Sequence, residues 1–192
     1  MNPLRIVIAD DESLHLMSLR THLEKLGHRV VAEVSTGRAA VKLVHELKPD
    51  LAILDIKMPE LDGIDAAGEI MNARPIPIIL LTAYSERALA ERAAEAHVTT
   101  YLMKPVSEND LLPAIALAMS RFAEFQALHK EVDDLRDALE TRKAVERAKG
   151  ILMRRLNLTE EEAFRRMQKR SQNENRKMGE IAQAIIVADG ML

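Results

Sequence analysis

The chain has 192 residues, 47% hydrophobic and 30% charged, which is the composition of an ordinary soluble protein with one large or two small domains. With no cysteine, disulfides, thiol chemistry and thiolate metal sites are excluded. The net charge of −3 conceals a split, because residues 1–140 carry 15 Lys+Arg against 23 Asp+Glu while residues 141–192 carry 12 against 7.

Strand-length apolar runs occur at Leu4–Ala9, Val30–Val34, Leu51–Leu54, Ile76–Leu81 and Thr99–Met103. Between them the spacing is helical, as in Leu14, Met17, Leu19, Leu23 and Leu26 before Gly27, and Ala40, Val41, Val44 and Leu47 before Pro49. Strands alternating with helices of this length predict right-handed βαβ units. The expected fold is a doubly wound, five-stranded parallel α/β sheet of the flavodoxin-like kind, with five helices within residues 1–120. No apolar run approaches the roughly 18 residues of a bilayer-spanning helix. Met1 leads almost directly into a strand and then Asp10-Asp11-Glu12, so no secretory leader and no membrane association are expected, and a cytoplasmic location is inferred.

From Ser107 the pattern is helical, with Pro113 close enough to the start to be tolerated or to kink the helix. Phe125, Leu128, Val132, Leu135 and Leu139 follow the 3-4 spacing of a coiled-coil seam, so residues 121–140 read as a helical linker. Residues 141–192 read as a small all-α unit of three helices, the first beginning as early as about 130. That first helix stops at Asn157-Leu158, Thr159 and Glu162 form a capping box for the second, and Asn173-Glu174-Asn175 ends it. The third carries Met178, Ile181, Ala182, Ile185 and Ile186 on one face.

In a doubly wound sheet, chemistry gathers beyond the carboxyl ends of the strands. Those ends offer Asp10 and Asp11, Asp55, Thr82 and Lys104. Crowded carboxylates repel unless a cation lies among them, and an all-oxygen set suits Mg²⁺. A carboxylate so placed can attack a phosphoryl donor while Lys104 neutralises charge on the transferring oxygens. Each residue alone reads equally as a cap or a strand end; the conjunction of five points to chemistry.

Asp10-Asp11-Glu12, Asp55-Ile56-Lys57-Met58-Pro59-Glu60-Leu61-Asp62-Gly63, Thr82-Ala83 and Tyr101-Leu102-Met103-Lys104-Pro105 resemble the motifs of two-component response-regulator receiver domains. The resemblance covers residues 4–120. It implies that Asp55 accepts phosphate from a sensor histidine kinase. It also implies that Asp10, Asp11, Asp55 and the Lys57 backbone carbonyl hold Mg²⁺, that Thr82 and Lys104 bind the phosphoryl group, and that Tyr101 swings inward when Thr82 moves. Lys104-Pro105 is expected to be cis. Ala96-His97-Val98 departs from the Ala-Gly-Ala usual in that family, so His97 takes a left-handed turn geometry or reshapes the loop. A tolerated turn residue is the plainer reading there, a pH-sensitive one the bolder.

In the basic tail, Lys143, Arg147, Gly150 and Arg154 fall on one helical stripe, with Val145, Ala148 and Leu152 opposite. Gly150 reads as a close approach to the backbone by a phosphate or a base, or as a simple kink. The segment from Glu140 to Met153, with Ala148-Lys149-Gly150-Ile151-Leu152-Met153 at its centre, resembles the ANTAR family of RNA-binding antitermination domains. That resemblance implies a three-helix unit that binds hairpin RNA in nascent transcripts as a dimer, with Lys143, Arg147, Lys149, Gly150 and Arg154 as candidate contacts. The combined expectation is a non-enzymatic regulator, apart from the receiver's own phosphotransfer and autodephosphorylation, that forms a homodimer when phosphorylated. A DNA-binding regulator and a protein-interaction module stand as alternatives.

Overall fold

The computed structural model describes residues 2–83 and 100–190. Five parallel strands, β1 (Arg5–Ala9), β2 (Arg29–Val34), β3 (Leu51–Asp55), β4 (Ile78–Thr82) and β5 (Thr100–Met103), form one sheet in the order β2-β1-β3-β4-β5. Helices α1 (Ser13–Lys25), α2 (Gly37–Leu47) and α3 (Gly63–Ala73) connect them. The segment between β4 and β5, with His97 and one of the five expected helices, lies outside the described residues.

β1, β3 and β4 are almost wholly buried, as continuous apolar runs in a sheet covered on both faces must be. The side chains alternate between two clusters. Val7, Ala9, Ala52, Leu54, Ile78 and Leu80 meet α2 and α3 on one face, while Ile6, Ile8, Leu51, Ile53, Ile79 and Leu81 meet Leu19, Leu23, Leu111 and Ile115 on the other. β4 begins two residues later than its apolar run, because Pro77 has no N–H to give to a ladder; its carbonyl still accepts from Ala52 at 3.1 Å.

The chain divides into two compact units, residues 1–125 and 126–192, and a single helix, α4 (Glu108–Leu156), contributes to both. It continues through Pro113. By length and composition α4 also has an 18-residue window apolar enough for a membrane span, with a mean hydropathy of 1.2, which the apolar-run expectation overlooked. Of this helix, Leu111, Ala114, Ile115 and Ala118 are buried in the sheet cluster. Phe125 also departs from expectation. It stacks on Phe122 with ring centroids 6.1 Å apart and packs against the core of the first unit, whereas Leu128, Val132, Leu135 and Leu139 are exposed.

In the second unit, α4 is joined by α5 (Glu160–Glu174) and α6 (Met178–Asp189). Asn157, at φ 54°, ends α4, and the Thr159–Glu162 capping box opens α5 with both of its reciprocal hydrogen bonds. α5 runs on through Asn173 and ends at Asn175, whose left-handed backbone satisfies the last turn. Ala148, Met167, Ile181 and Ala182 form the small core.

Candidate functional site

The sheet register assembles the first site. β1 is the point where strand order reverses, and Ala9 pairs with Leu54, so Asp10 and Asp55 leave neighbouring strands side by side. Asp55 pairs with Leu81 and Thr82 with Met103, which brings Thr82 and Lys104 to the same edge. The Lys104 N–H donates to the Thr82 carbonyl at 2.8 Å, and the Lys104-Pro105 peptide is cis.

Lys104 Nζ lies 2.6 Å from Asp10 Oδ2 and 2.9 Å from Asp55 Oδ1. Asp10, Asp55 and Thr82 are buried, whereas Asp11 is exposed. Burial lifts the Asp55 carboxyl above its ordinary pKa; Lys104 pulls it back down, and the charges of Asp10 and Asp11 push it up again. Burial also opposes the Lys104 charge, but its hydrogen bonds and attractions to Asp10 and Asp55 outweigh this and raise its pKa. Carboxylate oxygens of Asp10, Asp11 and Asp55 come within 4.8 Å of one another. Three hard-oxygen donors with a surplus of negative charge fit a divalent cation such as Mg²⁺. Lys57 and Ala83 line the same open depression, and Tyr101 points outward at 62% exposure.

Two residues that shape the pocket carried no role in the sequence reading. Gly63 donates its N–H to the Ile56 carbonyl at 2.9 Å, and a Cβ there would stand 2.0 Å from the Asp55 carbonyl oxygen. Only glycine permits α3 to start that close beneath Asp55; Asp62 caps the helix through the N–H groups of Ile64 and Asp65. His15, in the first turn of α1, reaches both Asp10 and Lys104. A titratable side chain four residues past the acidic pair, on the helix that follows it, was the available signal.

The candidate RNA contacts lie on α4. Lys143, Arg147 and Arg154 are exposed and Gly150 is half-buried, with open space where its Cβ would be. Lys143 is within 2.8 Å of Glu140, whereas Arg147 and Arg154 carry no ion pair among the described residues. Lys149 needs correcting. Its side chain is 10% exposed, and its ammonium is held by Glu146 at 2.8 Å and by Glu160, from the first turn of α5, at 2.7 Å. It ties α4 to α5 rather than standing free for a ligand.

Residues 6–116 match the response regulator receiver domain family, and residues 133–186 match the ANTAR domain. The chain is a response regulator with a C-terminal ANTAR domain. It is 47% identical to the transcriptional regulatory protein PdtaR of Mycobacterium tuberculosis over 184 residues, 96% of this chain and 90% of the relative. The receiver alone is 37% identical to the chemotaxis protein CheY of Thermotoga maritima over 112 residues, 58% of this chain and 93% of CheY. Among solved structures, the signal receiver domain of a modulated diguanylate cyclase from Desulfovibrio desulfuricans G20 superimposes with a TM-score of 0.60 at 30% identity, covering 64% of this chain and 98% of that one. A receiver implies a histidine kinase as partner, and an ANTAR domain implies RNA as ligand.

Proposed function

We propose that phosphorylation of Asp55 by a sensor histidine kinase controls RNA binding by the ANTAR domain and, through it, transcription antitermination. The observation that carries this reading is the placement of Asp55 against Lys104 and the Asp10–Asp11 pair, in a chain whose other unit presents Arg147 and Arg154 on an exposed helix face. The working division is a receiver over 1–120, a helical linker over 121–140 and the RNA-binding unit over 141–192, in a cytoplasmic protein.

In the transfer, a carboxylate oxygen of Asp55 attacks the phosphorus of the kinase's phosphohistidine. The P–N bond breaks and its electron pair leaves with the imidazole nitrogen. Asp10, Asp11, Asp55 and the Lys57 carbonyl would hold Mg²⁺, which supplies charge neutralisation on the transferring oxygens. Lys104 exchanges its contact with Asp55 for one with a phosphoryl oxygen. Thr82 donates its hydroxyl to another, and Tyr101 follows Thr82 inward. The phosphorylated chain forms a homodimer through the exposed Leu128–Leu139 seam and presents two basic faces to a hairpin in the transcript. Lys143, Arg147, Gly150 and Arg154 are its contacts, and Lys149 supports them from behind.

The test measures hairpin-RNA affinity and molecular mass with and without acetyl phosphate and Mg²⁺, for wild type and Asp55→Asn. Phosphorylated wild type is expected to bind about tenfold tighter than the other three samples, a coupling of ordinary size for an allosteric switch. Equal affinity and mass in all four would sink the switch. Tighter binding to duplex DNA of equal length at fixed salt would overturn the RNA reading.

A further inference from the structure

Beyond Phe125, the repeat on α4 forms an exposed apolar face: Leu128, Val132, Leu135 and Leu139 are 64%, 45%, 64% and 52% exposed. In heptad terms Leu128 and Leu135 stand at d, and Val132 and Leu139 at a. A β-branched residue at a with leucine at d is a pattern of two parallel strands. The apolar layers alone accept either direction, because an antiparallel partner would set Leu128 against Leu139 and Val132 against Leu135. The flanking charges do not. The e positions carry His129, Arg136 and Lys143, and the g positions Glu124, Glu131 and Ala138. In a parallel, in-register pair each g faces the partner's following e, so Glu131 meets the partner's Arg136, twice by symmetry. In an antiparallel pair e faces e and g faces g. His129 then meets the partner's Arg136, Glu131 meets the partner's Ala138, and the seam pairs no opposite charges. Glu131 and Arg136 are exposed and carry no ion pair in their own chain among the described residues, so both are available.

We propose that this seam docks a second copy of the chain in parallel and in register, a direction selected by the Glu131–Arg136 pairs between copies. The proposal rests on the homodimer reading above and adds its direction and register. Beyond Leu139 the core positions fall to Arg142 and Glu146, each of which would face its own like charge, so the seam closes there. Lys143, Arg147 and Arg154 follow it on the same helix. Parallel pairing brings the two copies of that basic stripe to one end of the seam, where a single RNA meets both; antiparallel pairing would send them to opposite ends.

The test uses the full chain with beryllofluoride and Mg²⁺ as the phosphoryl probe, and reads mass by sedimentation equilibrium. Glu131→Arg and Arg136→Glu each turn two attractions between copies into two repulsions, and each is expected to weaken the dimer roughly tenfold at low salt, less at high salt. Mixed in equal amounts, the two variants restore both pairs, and the mixture is expected to return close to wild-type affinity. Direction is read separately. The chain has no cysteine, so Leu139→Cys supplies a single thiol per copy. Core thiols of a parallel pair stand within disulfide reach, and Leu139→Cys oxidised with diamide is expected to give a covalent dimer by itself. In an antiparallel pair those thiols would lie roughly 16 Å apart, and crosslinking would need a Leu128→Cys partner. A dimer indifferent to Glu131→Arg, a mixture no tighter than its parts, or crosslinking only between Leu139→Cys and Leu128→Cys would overturn the parallel pairing and leave the homodimer standing. If wild type stays monomeric with and without beryllofluoride, the homodimer reading itself fails and the pairing falls with it.

Discussion

Glycine is required at one residue of the pocket and expendable at another on the same helix. Since a Cβ at Gly63 would strike the main chain of Asp55 itself, Gly63→Ala has to displace either α3 or Asp55. The expected cost is about 1–3 kcal/mol of stability, with weaker beryllofluoride uptake besides. At Gly68 an added methyl would meet nothing within 4 Å, so Gly68→Ala should add about 0.5–1 kcal/mol through helix propensity and leave uptake unchanged. Melting curves and a titration on both variants check the contrast. His28 gives a second residue-scale expectation. It is buried, Nδ1 accepts the Leu4 N–H at 3.3 Å, and burial together with the N-terminal charge lowers its pKa below 6.5. The unfolded chain therefore takes up this proton first. The stabilisation is complete above about pH 6.5 and is lost as pH falls toward the folded-state pKa. Melting temperatures measured between pH 8 and pH 5 should decline less steeply for His28→Gln than for wild type. Asp10, Asp55, Thr82 and Lys104 were legible in sequence because strand ends announce themselves. His15 was not, because nothing local says that its ring crosses to a lysine 89 residues away.

Among the elements, α4 separates what periodicity can say from what it cannot. A 3-4 repeat identifies an apolar face but not what covers that face. Phe125 belongs to the repeat by spacing, yet it packs against the core of its own unit; Lys149, a candidate contact only by resemblance, is held by Glu146 and Glu160. The capping box of α5 was readable because all its partners lie within four residues. The homodimer proposed above would use the four seam residues left exposed. Leu135→Lys, at 64% exposure, should leave the monomer fold intact and lower the dimer fraction of phosphorylated protein at least tenfold, as sedimentation equilibrium would record.

For the whole molecule, the charge split gives the two units opposite relations to a polyanion. The acidic receiver repels RNA and the basic tail attracts it, so binding energy is concentrated on the ANTAR unit and should weaken with salt. The sequence order of the sheet has a further consequence, for the history of each new chain. Asp55 is synthesised long before Lys104, which stands on the last strand, so the nascent receiver contains its acceptor without the cation that serves it until β5 has joined the sheet. The ANTAR helices follow later still, by on the order of ten seconds at ordinary rates of translation. On the function proposed above, each newly made regulator would become able to receive its signal before it has anything to answer with.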